Sequence, residues 1–342
     1  MDVEQLDALV SYYFHASLTP TTSRSYDSAK RRYLKFCHAS NILPLPATED
    51  KLCNFAAYLA DSSLTHQTIK CYLSAIRHLQ ISSNMGDPHI SCMPKLEHVL
   101  RGIKNEQSKR AKETSKPRLS MTPSILLKFR SVWEENPGNY DHIMLWAACC
   151  TCYFGFLRSG EICSPSDRDY DSSTHLSYSD IAVDSHHNDP STIAITIKAS
   201  KTDPYRQGVT VYLGKTGSKL CPVKARLAFI TVRGDAPGPL FKFENQQVLT
   251  RERFVTQVRS ALSKAGLNPD AYAGHSFRIG AVTVAHEKGI EDSTIMTLGR
   301  WKSNAYQHYI RIPQEHLAHI SAHVATPTAQ GHVKTFHPLL DD

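Results

Sequence analysis

The sequence predicts a mainly α-helical protein with one small antiparallel β-hairpin, which places it in the α+β class. Two alternating, β-branched runs at 191–198 and 208–214 flank a tip rich in turn-forming residues, which is typical of a hairpin. A polar, basic stretch at 106–120 divides the helical segments into two groups. Elsewhere apolar residues recur at helical spacing, as at Tyr26, Ala29, Tyr33 and Phe36.

The composition is that of a globular protein long enough for two domains, with 342 residues, 41% hydrophobic and 21% charged. Apolar runs such as 143–150 are far shorter than the roughly 18 residues that span a bilayer. The acidic start lacks a signal-peptide core, and the nine cysteines form no repeating framework. We therefore expect a protein that is not secreted and that resides, with reduced thiols, in the nucleus or the cytoplasm.

The helical segments suggest four regions along the chain. Residues 1–105 form a compact helical domain, 106–120 a basic linker, 121–326 a second domain with the hairpin, and 327–342 an irregular tail. Thr48 resembles the N-cap of one helix, and Thr122 with Pro123 resembles the start of the second domain's first helix. Cys149, Cys150 and Cys152 lie in an apolar helix without zinc-ligand spacing and are expected in the core.

Positive charge is concentrated between residues 95 and 118, where eight Lys or Arg residues face three Glu, a net charge of +5. Such a run is either a solvated linker or a strap across a polyanion such as DNA. On the second reading the candidate DNA-contacting residues, including basic positions on the first helices, are Arg31, Arg32, Lys70, Arg77, Lys104, Lys109, Arg110, Lys112, Lys116 and Arg118.

Four separated places carry residues suited to phosphate chemistry. Arg158 ends an apolar helix three residues before Glu161, and Lys201 lies on the hairpin tip in SKTD. His275 and Arg278 lie one turn apart in GHSFRIG, and LGRWKSNAYQHYIRIP carries Trp301 and Tyr309, with Tyr306 between them. Taken one at a time, these residues have structural explanations. Arg158 could form a helix ion pair with Glu161, and Lys201 could be a solvated turn lysine. His275 could cap a helix, and Trp301 and Tyr309 could pack in the core.

Together they form a set that can attack a phosphodiester without a metal. Two arginines can neutralise the non-bridging oxygens, and a lysine on a mobile tip can protonate the leaving 5′ oxygen. A histidine can accept the nucleophile's proton, and a tyrosine hydroxyl can form a covalent phosphotyrosyl intermediate.

The order Arg158, Lys201, His275-x-x-Arg278, Trp301, Tyr309 resembles that of the tyrosine recombinases, which include the Cre, Xer and phage-integrase enzymes. LRSGEI, the SKTD hairpin, GHSFRIGAVT and LGRWKSNAYQHYIR carry the resemblance over about residues 120–325, and TTSRSYDSAKRRYLKFC is similar to the family's helical core-binding domain. The segments SKTDPYRQG and LGRWKSNAYQHYIR are most similar to the corresponding segments of recombinases from eukaryotic mobile elements, the DIRS and Crypton types.

The resemblance implies site-specific cleavage and rejoining of double-stranded DNA through a 3′-phosphotyrosyl bond, without metal, ATP or other cofactor. It implies a clamp of two domains, a SAM-like core-binding domain and a catalytic domain, and a homotetramer on DNA formed from monomeric or weakly associated chains. Arg158, Lys201, His275, Arg278 and Trp301 are then catalytic, Tyr309 is the nucleophile, and Glu161 supports the site.

One spacing departs from the family's pattern. In many members the tyrosine follows the His/Trp position by nine residues, whereas Tyr309 follows Trp301 by eight and Tyr306 by only five. Tyr306 is therefore expected to be a packing residue one turn before the nucleophile. Lys198 is expected at the base of the hairpin, so Lys201 is the preferred lysine.

Other interpretations remain open on the sequence alone. The chain could be a domesticated, catalytically silent DNA-binding protein of the same fold, a type IB topoisomerase, or a zinc-dependent nuclease. His316, His319 and His323 share a helix face and could bind a metal, although no Cys or carboxylate clearly completes the set. Leu317, Ile320 and Val324 give the same segment an apolar face, which could dock on a neighbouring protomer or on its own domain.

Overall fold

The computed structural model describes residues 2–114, 118–183, 189–200, 203, 205–311, 318 and 321. The chain divides into two compact units, residues 1–115 and 116–342. The first unit is helical, and the second combines helices with a three-stranded antiparallel sheet. The predicted fold class is confirmed.

Residues 2–114, the described part of the first unit, form five α-helices. They are α1 Val3–Ala16, α2 Pro20–Ala39, α3 Glu49–Asp61, α4 His66–Ser82 and α5 Pro94–Thr114, with a 3₁₀ helix at Ile90–Cys92. Side chains of α2, α3, α4 and α5 fill one core around Tyr33, Phe55 and Ile76. The buried Tyr33 hydroxyl donates to the carbonyl of Pro44 at 2.7 Å, so its burial leaves no donor unpaired.

Helix α5 extends into the segment that the sequence assigned to a linker. Residues 106–114 are helical, because Glu, Gln, Lys, Arg and Ala are strong helix formers even where no core demands a helix. Lys109 pairs with Glu106 at 2.7 Å along the helix surface. An apolar-poor composition therefore did not distinguish a connecting loop from a solvated helix.

The second unit is built around α7. Its helices are α6 Pro123–Glu134, α7 Tyr140–Phe154, α8 Ser159–Ile162, α9 Pro222–Arg233, α10 Arg251–Lys264, α11 Ser276–Glu287 and α12 Asp292–Gly299, with 3₁₀ helices at Tyr178–Asp180, Pro269–Ala271 and Asn304–Tyr309. Nine of the ten residues from Met144 to Tyr153 are buried, because α7 packs on α6, α9 and α11. The three cysteines of α7 are among them, which confirms their expected place in the core.

The sheet has the order β1-β2-β3, with β1 Ile181–Val183, β2 Thr192–Ile197 and β3 Val209–Gly214. Strands β2 and β3 pair antiparallel from Thr192 opposite Gly214 to Ile197 opposite Val209, as the predicted hairpin requires. Ile193, Ile195 and Ile197 alternate into the core. Strand β1 was not predicted, since three residues are too few to show an alternating pattern.

Candidate active site

Arg158 stands at the corner between α7 and α8. Its backbone N–H donates to Glu161 Oε2 at 2.9 Å, and its side-chain Nη1 donates to Oε1 of the same carboxylate at 3.2 Å. The Arg158 side chain is 20% exposed and that of Glu161 only 4%. Glu161 therefore fixes both the helix start and the guanidinium, while Arg158 stays open to solvent.

Helix α11 starts beside this corner. His275 is its N-cap, and a Cβ on the preceding Gly274 would lie 2.3 Å from the hydroxyl oxygen of Ser159, so the close approach needs glycine. His275 is exposed. The predicted His-x-x-Arg pair thus begins a helix against α8, next to Arg158.

Arg278, one turn into α11, is 0% exposed. Its Nη1 donates to the carbonyl of Phe156 at 2.9 Å, and its Nη2 donates to the carbonyl of Gly299. Burial, and secondarily the positive charge of Arg158, lower the pKa of the Arg278 guanidinium to about 10. The charge is held in a dry site by backbone dipoles.

Trp301 covers Arg278. The guanidinium carbon lies 3.9 Å from the centroid of the indole ring, a close cation–π contact. A Cβ on Gly299 would fall 1.4 Å from Trp301 Cζ3, so the ring occupies the space that glycine leaves. The residue before Trp301 on the chain, Arg300, adopts a left-handed conformation with φ of 59° that turns the chain at the end of α12.

The two tyrosines lie in a 3₁₀ helix, Asn304–Tyr309, and differ in burial. Tyr306 is 2% exposed, and burial raises the pKa of its hydroxyl, as fits the expected packing role. Tyr309 is half-buried, with its ring centroid 5.3 Å from that of Trp301, 6.4 Å from that of His275 and 5.5 Å from the Arg278 guanidinium carbon.

The main chain after the tyrosines is tied to α11. We call residues 304–311 the tyrosine segment. The buried Thr283 hydroxyl donates to the carbonyl of Tyr309 at 3.2 Å and accepts from the N–H of Arg311 at 3.1 Å. One helix therefore carries His275 and Arg278 and also anchors the segment of Tyr309.

Arg300 is a member of the site that the sequence reasoning did not assign. Its Nη2 donates to Glu161 Oε2 at 2.9 Å, and its side chain is only 12% exposed. The partner is 139 residues away along the chain, so no local motif indicates the contact.

Of the two lysines considered in the hairpin, Lys198 is among the residues that the structure describes. Lys201 lies outside the described residues. Lys198 forms an ion pair with Asp180 at 2.7 Å and donates to the carbonyl of Ser172 at 2.6 Å. Lys198 is thus engaged in bracing the base of the hairpin.

Several of the candidate DNA-contacting residues are exposed, namely Arg31, Lys70, Lys104 and Arg110. Arg118 is also exposed, and its guanidinium donates to the carbonyl of Asp270. The side chain of Lys112 and the whole of Lys116 lie outside the described residues.

Other basic residues of the first unit already have partners. The Arg32 guanidinium lies 5.6 Å from the ring centroid of Tyr58. Arg77 binds Asp87 through two hydrogen bonds, and this guanidinium holds the pKa of the Asp87 carboxyl well below its usual range. Lys109 is in the helix pair described above. These contacts leave the positive charges at the surface but tie their geometry to the protein.

Within the described residues no group of three or more His, Cys, Asp or Glu side chains could hold a metal ion. His316, His319 and His323, and the apolar residues Leu317, Ile320 and Val324, lie outside those residues. No helix among the described residues has the length and apolar character needed to cross a bilayer.

Comparisons with known proteins agree on one fold. The integrase/recombinase XerD homolog of Selenomonas ruminantium is 22% identical over 315 residues, covering 89% of this chain and 85% of that protein. The Tn1549 transposon integrase, solved with transposon right end DNA, has a TM-score of 0.55 at 13% identity, covering 95% of this chain and all of that one. A lambda integrase dimer bound to a COC′ core site has a TM-score of 0.52 at 17% identity, covering 90% and 77%.

No protein-family model matches the sequence. The relatives are therefore distant, and at these identities the solved structures establish the fold. The chain has the mainly helical fold of the Tn1549 and lambda integrases, and its sequence similarity to the XerD homolog is distant.

Proposed function

We propose that this protein is a site-specific DNA recombinase that cleaves and rejoins DNA through a covalent 3′-phosphotyrosyl intermediate. The observation that carries the proposal is the meeting of Arg158, His275, Arg278, Trp301 and Tyr309 in one place. They come from separate parts of the chain, and Tyr309 lies within ring contact of both Trp301 and His275.

The proposed reaction begins at the Tyr309 hydroxyl. Its oxygen attacks the scissile phosphorus, the bond to the 5′ oxygen breaks, and a 3′-phosphotyrosyl ester forms. The phenol proton passes to His275, and Lys201 donates a proton to the leaving 5′ oxygen. The 5′ hydroxyl of a partner strand then attacks the ester and releases the tyrosine. Each step exchanges one phosphate ester bond for another, so no ATP is required, and in this proposal the arginines take the charge-stabilising role that a metal could otherwise fill.

The arginines stabilise the negative charge that develops on the phosphate. Arg158 is the accessible guanidinium and can donate to a non-bridging oxygen. Arg278 contributes its charge from a buried position, where the low dielectric strengthens its effect on a bound anion. Trp301 keeps that charge in place and can donate its indole N–H to the phosphate.

Double-stranded DNA is the proposed partner. The Tn1549 and lambda integrases named above were solved with DNA, and the exposed basic residues of α2, α4 and α5 suit phosphate contacts. We further propose that a helical core-binding domain, which ends with α5, and a catalytic domain at 121–326 both contact DNA, and that the protein acts as a tetramer. The sequences of the segments SKTDPYRQG and LGRWKSNAYQHYIR favour a mobile-element recombinase that acts in a nucleus.

The test is a covalent capture that does not require the target sequence. The protein is incubated, with EDTA and without ATP, with a pool of nicked suicide duplexes of randomised sequence, and SDS-resistant adducts are recovered and sequenced. We expect adducts enriched for one sequence, which disappear in Tyr309→Phe and persist in Tyr306→Phe. Loss in Tyr306→Phe with retention in Tyr309→Phe would reverse the assignment of the nucleophile.

A second candidate is a DNA-binding protein that has the fold but does not recombine. It is favoured by Arg278, whose terminal nitrogens are both bonded to main-chain carbonyls beneath Trp301. If the wild-type protein retains duplex DNA in a salt-sensitive manner and yields no adduct from the whole pool, this candidate replaces the first.

A further inference from the structure

Arg300 connects the arginines of the site. Its Nη2 donates to Glu161 Oε2 at 2.9 Å, and Glu161 Oε1 accepts from Arg158 at 3.2 Å. The carbonyl of Phe156 accepts from Arg278 at 2.9 Å and lies 3.4 Å from Arg300 Nη2. Arg300 therefore shares one acceptor with each of the other two arginines.

The backbone conformation of Arg300 is unusual for a residue with a long side chain. It is a non-glycine residue with φ of 59°, in the left-handed region that side chains other than Asn, Asp and Gly rarely adopt. It caps α12 in that conformation, and Trp301 follows directly. The backbone strain persists because the side chain is held by Glu161 and by the carbonyls of Gly155 and Phe156.

The cluster carries an excess of positive charge. The ion pairs that Arg158 and Arg300 make within the described residues are both with Glu161, and Arg278 is bonded to neutral carbonyls. Two guanidinium groups thus contact one carboxylate, and a third, that of Arg278, lies close enough to feel its charge. The Nε atoms of Arg278 and Arg300 are buried and have no hydrogen-bond partner among the described residues. Poorly compensated buried charge is costly, so the cluster favours an added anion.

We propose that Arg300 is a positioning residue for the phosphate-binding arginines: it takes up one oxygen of Glu161, so that this carboxylate does not fully neutralise Arg158. The site then keeps a positive surplus for one tetrahedral oxyanion. That this anion is a DNA phosphodiester rests on the proposed function. Arg300 acts through Glu161 and is not required to touch the DNA.

The first experiment measures anion binding without DNA. The unfolding temperature is followed while inorganic phosphate replaces chloride at constant ionic strength, since a ligand of the native state stabilises it by mass action. We expect wild-type protein to be stabilised by phosphate, Arg300→Met to lose most of that shift, and Arg300→Met/Glu161→Gln to regain it, because removal of the carboxylate frees Arg158. Arg300→Lys keeps the charge and should retain at least half of the shift.

The matched control is Arg130→Met, which removes an arginine that pairs with Glu134 at 2.8 Å, away from this cluster. It should respond to phosphate as the wild type does. If Arg300→Met responds like Arg130→Met, or if the double variant is no better than Arg300→Met, the charge argument is wrong. Should Arg300→Met fail to fold, the phosphate-induced shifts of Arg300→Lys and Glu161→Gln are compared with that of the wild type. Both variants are expected to keep the shift, and its loss in either would refute the charge argument.

The second experiment uses a duplex recovered by covalent capture. At saturating DNA, Arg300→Met should form adduct on the order of 100-fold more slowly than wild type, with partial recovery on adding Glu161→Gln and little change in DNA affinity. Equal rates in wild type and Arg300→Met would refute the role of Arg300 and leave the proposed function intact. Absence of adduct from the wild type would refute the function, while the phosphate experiment would still judge Arg300.

Discussion

Replacing Thr283 with valine tests how the tyrosine segment is held. The side chain is 3% exposed, and its hydroxyl serves the carbonyl of Tyr309 and the N–H of Arg311. Valine has nearly the same shape, so the change removes two hydrogen bonds and leaves the core volume almost unaltered. Each unpaired group costs about 1 kcal/mol, the low end for buried groups, because both partner residues are half-buried.

The two losses together weaken the anchor by about 2 kcal/mol, which raises the open population of the segment by about 30-fold. The direct assay is amide hydrogen exchange at Arg311, whose N–H should exchange faster by that factor if the segment opens locally. On a captured duplex, the rate of adduct formation follows the closed population of the segment, so we expect it to fall by at most a similar factor.

The matched control is Thr283→Ser, which keeps the hydroxyl and loses one methyl group. We expect its exchange at Arg311 to stay within a few-fold of wild type, although burial of less apolar surface lowers its stability by about 1 kcal/mol. If Thr283→Val leaves exchange at Arg311 unchanged, or if Thr283→Ser is equally affected, the hydroxyl is not the anchor and the reasoning fails.

Gly299→Ala places a Cβ 1.4 Å from the ring of Trp301 and should lower stability by about 1–3 kcal/mol, seen in thermal unfolding; an unchanged midpoint would contradict the packing. Asp87→Asn releases Arg77 and should tighten DNA binding and steepen its salt dependence by about one unit. Because Arg77 keeps the pKa of the Asp87 carboxyl well below its usual range, the wild-type pair is lost only at a pH well below about 4. The difference in DNA affinity between wild type and Asp87→Asn should therefore be constant between about pH 5 and 8, and a change in that difference would disprove the pair. Burial raises the pKa of the three α7 thiols, so iodoacetamide should label exposed Cys92 well before them, by peptide mass spectrometry; equal labelling would mean that α7 is open.

The parts of the site that could be predicted are those in which chemistry and spacing are local. The His-x-x-Arg spacing of His275 and Arg278 is set by one helical turn, and alternating β-branched residues define the hairpin. The distinction between Tyr306 and Tyr309 also follows from a short segment, and the structure gives the two different burial. The catalytic roles of these residues remain predictions.

The parts that could not be predicted depend on contacts across long sequence separations. Arg300 lies nine residues before Tyr309, the spacing that many members of the family show between the His/Trp position and the tyrosine, but the sequence alone pointed to no role for Arg300. Only the contact with Glu161 identifies Arg300 as part of the site. The complete burial of Arg278 could not be predicted from the sequence either, because arginine rarely lies in a protein core.

The anchoring of the tyrosine segment on α11 has a consequence for any assembly on DNA. Thr283 and Arg278 belong to the same helix, so the chain that provides the arginines proposed to bind phosphate also holds the segment of the proposed nucleophile, Tyr309. Cleavage would then occur in cis, because all residues of a site, the tyrosine included, would come from the same protomer. In a mixed assembly, a defective protomer would silence one cleavage position and leave the others competent.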